Sequence, residues 1–330
     1  MKIPIYTFTL IILLVLGCKP STSNTYADML AKPPYYQITD SIYDDTNNDT
    51  LYIIRGLRLQ QNEELEASLA DFEKAYKLAP TATNATLYIS SLLTNLRYDS
   101  ANSVLQKIIK KYPDNNDFKE IQGNIYQKQN QFANALQVYT TIIAADKNNL
   151  KVLTNMGFCY QELDSVPQAI KTFERSYSLQ PTATVGYELA DMYTETLNPN
   201  TINFCQQLMK ADTGKEKSVH PLYCIGRYHY NTKNFTEAIN YYNQCITNDY
   251  TYIYAYLDKA EILLAQNKIG EAIKVLTKAK EIDNQNSDAY YLMGACLKAQ
   301  GKQTEARLEF QRALALDKNN EAATDALNEN

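Results

Sequence analysis

The chain has 330 residues, 45% of them apolar, and a formal charge of −5. That apolar content excludes wholesale disorder, and mild acidity without any basic block argues against nucleic acid as a main partner. Its six cysteines are widely spaced with no C-x-x-C pair, which indicates neither a redox motif nor a zinc site.

The first element is a leader. Met1 and Lys2 precede a run that is apolar or neutral from Ile3 to Gly17. A run of about fifteen is short of the roughly 18–20 that a transmembrane helix needs, and it matches the apolar region of a secretory signal. It ends Val15-Leu16-Gly17-Cys18, which resembles the lipobox of bacterial lipoproteins. The resemblance implies a signal peptide over residues 1–17, cleavage before Cys18, and acylation of both the Cys18 thiol and the new amine. Each buried methylene contributes about 0.8 kcal/mol, so two or three chains make a lasting membrane anchor. Lys19 stands where a lipoprotein kept in the inner membrane carries Asp. The expected location is therefore the bacterial cell envelope, lipid-anchored at the outer membrane and facing the periplasm.

Residues 18–48 contain KPSTSN, KPPYY and DDTNNDT. These stretches carry Pro, Ser, Asn and charge without a helical stripe, and the expectation is a tether. As a flexible chain it would reach about 30 Å.

From residue 49 the sequence repeats itself. LTNMGFCYQELDSVPQAIKTFERSYSLQP (153–181) places Gly157, Tyr160, Ala169, Phe173 and Pro181; YYLMGACLKAQGKQTEARLEFQRALALD (290–317) places Gly294, Leu297, Ala306, Phe310 and Ala313. Apolar residues recur at three and four, as on one helix face. A small residue on a first helix lets a second helix approach, and an aromatic on the second fills the gap. Asp164 or Ser165 is expected to cap the second helix, with Pro167 in its first turn. Neither helix can bury its stripe alone, so neighbouring pairs must stack.

This pattern resembles the tetratricopeptide repeat, a 34-residue helix–turn–helix unit. The resemblance implies an all-α, right-handed solenoid of about eight antiparallel helix pairs over residues 49–320, starting near 49, 82, 116, 150, 183, 219, 253 and 287. A short capping segment is expected at 321–330. The fifth repeat is the weakest, with Ile202 where Ala is expected and a few extra residues before 219. Of the cysteines beyond Cys18, four of the five fall at apolar helical positions. They read as buried free thiols, with Cys205–Cys224 the one pair to examine for a disulfide.

Catalytic motifs are not found. His220 and His229 are nine apart, outside any i, i+4 or H-E-x-x-H spacing. QGKQT (300–304) lacks the upstream glycine spacing of a phosphate loop and reads as a turn. The expectation is a non-enzyme without cofactor or metal.

What remains is the groove. In the tetratricopeptide family the first helices line the concave face. The matching positions of the early repeats are Thr83, Thr86, Ser90, Glu120 and Asn124, small or polar; those of the later repeats are Phe158, Tyr187, His220, Tyr223, Arg227, Tyr230, Tyr254 and Tyr291. Tyr and Arg dominate interface hot spots, although tyrosines also serve as filling between repeats. The carboxylate clamp of some family members would fall on Asn124, Lys151 and Arg227, scattered over different repeats, and is not supported. The expected function is a protein- or peptide-binding adaptor in the envelope. The alternatives are a glycan- or nutrient-binding lipoprotein, or a regulatory subunit that positions an envelope enzyme.

Overall fold

A computed structural model describes residues 25–212 and 218–328. The expected signal over 1–17 and the expected lipidation at Cys18 lie outside the described residues. Among those residues the chain forms nineteen helices and no strand, and none of the helices is long and apolar enough to cross a membrane. The chain divides into two compact bodies at Gln131 and Phe132, within the turn of the third repeat.

The N-terminal body holds α1 (Thr25–Leu30), α2 (Tyr36–Asp44), α3 (Asp49–Gln61), α4 (Leu65–Leu78), α5 (Ala82–Thr94), α6 (Tyr98–Lys111) and α7 (Asn116–Lys128). The C-terminal body begins with α8 (Phe132–Ala145), α9 (Leu150–Glu162), α10 (Val166–Leu179), α11 (Ala183–Glu195) and α12 (Thr201–Ala211). It continues with α13 (His220–Asn231), α14 (Phe235–Asn248), α15 (Ile253–Ala265), α16 (Ile269–Ile282), α17 (Ser287–Ala299), α18 (Gln303–Leu316) and α19 (Glu321–Asn328). Within each body, successive helices pack on one another in the manner of a tetratricopeptide solenoid. At the C-terminal end α19 lies against α18 and buries Ala323.

The tight turn between the helices of a repeat is closed by one backbone device. A single residue takes a left-handed conformation: Glu63, Leu96, Asn130, Asp164, Leu197, Lys233, Asn267 and Gly301, with φ from 52° to 74°. The next N–H donates to the carbonyl five residues back, as in Ser165 to Tyr160 at 2.8 Å and Lys302 to Leu297 at 3.0 Å. Gly and Asn suit this position, and the other side chains hold it at some steric cost. Asp164 is thus the left-handed turn residue and Ser165 makes no side-chain cap, contrary to the expected capping role; Pro167 does sit in the first turn of α10.

The small-residue contact is literal. A Cβ added at Gly157 would lie 2.4 Å from the Phe173 ring, and at Gly294 2.6 Å from the Phe310 ring. Gly56 with Phe72 and Gly226 with Tyr242 repeat the arrangement. Those four rings are buried, so none can swing aside.

Two expectations are corrected. The tether reading fails over residues 25–48, where α1 and α2 fold onto the first repeat. Tyr35 packs with Leu59 and Ala67, and Ile42 with Tyr52 and Ala75. Between them Thr39 accepts a hydrogen bond from Arg55, which grips Asp71 through two bonds of 2.7 and 2.8 Å. Burial raises the Asp71 carboxyl above its ordinary range, and Arg55 opposes that shift. The stripe is Tyr35, Thr39 and Ile42, short and polar at its centre, beside two prolines that mask it. In the fifth repeat, Thr201 rather than Ile202 takes the small position. Thr201, Cys205 and Leu208 form the buried stripe of α12, one residue ahead of the register of other second helices. The turn before it runs five residues (196–200), against three (163–165) in the fourth repeat. The Thr201 hydroxyl closes it by donating to the carbonyls of Asn198 and Tyr193.

The packing predicts that Gly157→Ala destabilises the C-terminal body by about 1–3 kcal/mol, the usual cost of overpacking a filled core. Urea denaturation followed by circular dichroism measures it. A loss below about 0.5 kcal/mol would mean that the α9–α10 approach is looser than the ring contact implies.

Candidate functional site

The predicted groove residues converge on α11, α13 and α15. On α13 the spacing of His220, Tyr223, Arg227 and Tyr230 is three or four, which stacks them along one helix face. Pro221 stands in the first turn of α13, where its missing N–H costs no hydrogen bond. The face is therefore set from the start of the helix.

The rings form a continuous cluster. His220 meets Tyr187 edge-on, with centroids 5.3 Å apart, and Tyr223 at 6.5 Å. Tyr223 in turn touches Tyr252 at 5.3 Å and Tyr254 at 6.2 Å. Tyr254 is the open end of the cluster, 55% exposed. One helical turn along α13, the Arg227 guanidinium lies over the Tyr230 ring at 5.9 Å, a cation–π contact.

A buried carboxylate underlies this face. Asp258 on α15 is 3.4 Å from Arg227 Nη1 and accepts a 3.0 Å bond from the Tyr242 hydroxyl. Tyr242 is the ring that covers Gly226. Burial, reinforced by the Asp258 charge, pushes the Tyr223 and Tyr242 hydroxyls well above the usual phenol range. Both stay neutral and able to donate.

At the other end, Asp191 on α11 lies 3.0 Å from His220 Nε2, and the Cys224 thiol donates to the same carboxylate at 3.3 Å. Hydrogen bonds to Asp191 and Cys224 push the His220 imidazole up to about 10, so the ring is cationic at neutral pH. Its Nδ1 is 3.2 Å from the Tyr252 hydroxyl. Asp191 and Cys224 share one imidazole nitrogen, whereas a nucleophilic Cys-His-Asp relay places base and orienter on opposite nitrogens.

Six of the eight predicted groove residues are thus brought together: Tyr187, His220, Tyr223, Arg227, Tyr230 and Tyr254. Two serve interhelical packing. Phe158 meets Phe173 edge-on at 5.2 Å, and Tyr291 meets Phe310 at 6.0 Å. Arg227 is engaged by Asp258, which removes it as an open carboxylate receptor. Sequence reasoning missed Tyr252, Asp258, Cys224 and Asp191. Asp191 occupies the ninth position of its first helix, the same groove position as Arg227, and was reachable by that rule. Tyr252 precedes α15, and Asp258 and Cys224 lie off the groove positions. None of the five described cysteines is in a disulfide, Cys205 and Cys224 included, and all five are buried.

Tetratricopeptide repeat models match residues 89–149, 232–296 and 263–328, so the chain carries such repeats in both bodies. Protein O-mannosyl-transferase TMTC3 of Homo sapiens is 24% identical over 197 residues, 59% of this chain and 19% of that protein. The Hsp70-Hsp90 organizing protein of Triticum aestivum is 31% identical over 71 residues, 22% of this chain and 12% of that protein. This chain therefore spans about a fifth or less of the length of these curated relatives. A tetratricopeptide repeat protein from Parabacteroides merdae superposes with a TM-score of 0.60 at 20% identity, covering 74% of this chain and 97% of that one. The C-terminal part of a repeat protein from Cytophaga hutchinsonii gives 0.53 at 18%, covering 73% and 98%. These likenesses show the fold.

Asp258→Ala is expected to lower stability by about 1–3 kcal/mol, because it leaves the buried Tyr242 hydroxyl without its partner. In a Tyr242→Phe background the same change should cost less, since no buried donor is stranded. Equal losses in both backgrounds, read by urea denaturation, would show that the two side chains are not coupled.

Proposed function

We propose that this chain is a non-catalytic adaptor that holds a protein or extended peptide against the first-helix face of its C-terminal body. The observation that carries the reading is the aromatic cluster from Tyr187 through His220 and Tyr223 to Tyr254, contiguous across three neighbouring first helices. Its rings are partly exposed, rigid, and tipped with hydroxyls that can bond a peptide backbone. Tetratricopeptide arrays expose extended concave surfaces suited to such ligands. The Hsp70-Hsp90 organizing protein, similar over one stretch, is named for bringing other proteins together, which agrees with an adaptor role. The leader pattern supports a membrane tether through lipid on Cys18, with the adaptor in a bacterial envelope at the periplasmic face of the outer membrane.

Tyr254→Ala tests the groove. Tyr254 is exposed, so the fold should survive, while loss of a true anchor costs about 2 kcal/mol or more, roughly thirtyfold in affinity. Crosslinking in intact cells with identification of the captured protein supplies the partner, and titration of the purified pair gives the affinity. Unchanged affinity in Tyr254→Ala, combined with loss on substituting exposed residues of the second helices, would move the interface to the opposite face. Separately, Cys18→Ser should leave the precursor uncut; normal processing of that variant would reject the lipid tether while leaving the groove reading untouched.

A further inference from the structure

The cluster at the start of α13 has a geometry that peptide binding does not require. Three donor atoms, Asp191 carboxylate oxygen, His220 Nε2 and Cys224 Sγ, all lie within 4.8 Å of one another. Their separations are 3.0 Å for nitrogen to oxygen, 3.3 Å for sulfur to oxygen and 3.6 Å for sulfur to nitrogen. Zinc bonds of about 2.0–2.3 Å at tetrahedral angles put neighbouring ligand atoms about 3.3–3.6 Å apart. The triangle already has the size of one face of a zinc tetrahedron. The buried Cys205 of α12 packs in the same apolar cluster as Cys224 but lies outside the donor triangle, so the fourth position falls to water.

Two further observations point the same way. Metal-ligating histidines characteristically donate their second ring N–H to an oxygen, and His220 Nδ1 faces the Tyr252 hydroxyl at 3.2 Å. The donors also come from α11 and α13, on either side of α12, where the repeat register slips by one residue and the turn lengthens. A metal there would fasten the helices whose regular packing is interrupted.

We propose that Asp191, His220 and Cys224 form a site for a thiophilic divalent cation of the zinc class, with water as the fourth ligand. His220 and Cys224 stand at i and i+4 and reach the ion from one helix face; Asp191 approaches from α11. Binding releases the Nε2 proton of the imidazolium and the Cys224 thiol proton to solvent, leaving neutral imidazole, thiolate and carboxylate as ligands. Half of the Asp191 side chain is exposed, at 46%, against 24% for His220, and that opening is the entry path. The proposal is independent of the adaptor reading.

The test uses the full chain without an affinity tag, reduced, stripped with chelator and titrated with cobalt(II) and then zinc. The expected result is one cobalt per chain, with a sulfur-to-cobalt charge-transfer band and the intense visible bands of tetrahedral cobalt, both removed by zinc. Zinc should also raise the unfolding midpoint, as a ligand of the native state alone must. Asp191→Ala, at a half-exposed position, should fold as judged by circular dichroism and bind at least tenfold more weakly. Absence of the charge-transfer band in the wild type, or wild-type cobalt affinity in folded Asp191→Ala, overturns the site.

Discussion

The structure depends on one close approach, a first helix without a side chain lying beneath an aromatic ring of its partner. At Gly157, Gly226 and Gly294 the space for a Cβ is already filled by Phe173, Tyr242 and Phe310. A ring buried in this way removes large apolar area from water, about 25 cal/mol for each Å², and it does so only if the opposing backbone comes near. The approach aligns the two helices, and the left-handed turn residue then fixes how tightly the chain reverses. Everything that faces outward from the first helices inherits its position from this contact.

That dependence explains why the fold was readable from sequence. A small residue, an aromatic sixteen positions later and an alanine between them are local signals, and they recur at a period near 34. The features that escaped are those in which one side chain substitutes for another type. Thr201 serves as the small residue of the fifth repeat because its hydroxyl finds two carbonyls, and a pattern keyed to alanine passes over it. Asp is a good helix cap, yet position 164 needs a left-handed turn residue and Asp tolerates that conformation. The segment before residue 49 was discounted because its buried stripe is centred on Thr39, whose partner Arg55 lies in the following helix.

The groove was legible in part for a related reason. Position along a first helix indicates which residues can face outward, and Tyr187, His220, Tyr223, Arg227, Tyr230 and Tyr254, chosen by that rule, lie in one region. It does not say which rings are consumed by packing inside their own repeat, as Phe158 and Tyr291 are. It is also blind to what lies underneath. Asp258 and Cys224 set the charge and hydrogen bonding of the exposed face from buried positions, and a rule about exposed positions does not reach them.

The bond from Tyr242 to Asp258 makes one boundary in this array unlike the others. Repeat arrays lengthen and shorten when whole repeats are duplicated or lost, which requires neighbours to be interchangeable. Thirty-four residues beyond Tyr242 stands Leu276, and thirty-four beyond Asp258 stands Leu292. A copied seventh repeat placed next to the sixth would keep the acid for the Tyr242 hydroxyl. A copied eighth repeat in the same place would offer a leucine and strand both that hydroxyl and Arg227. The sixth and seventh repeats are therefore bound to be inherited together, as a single block of lineage.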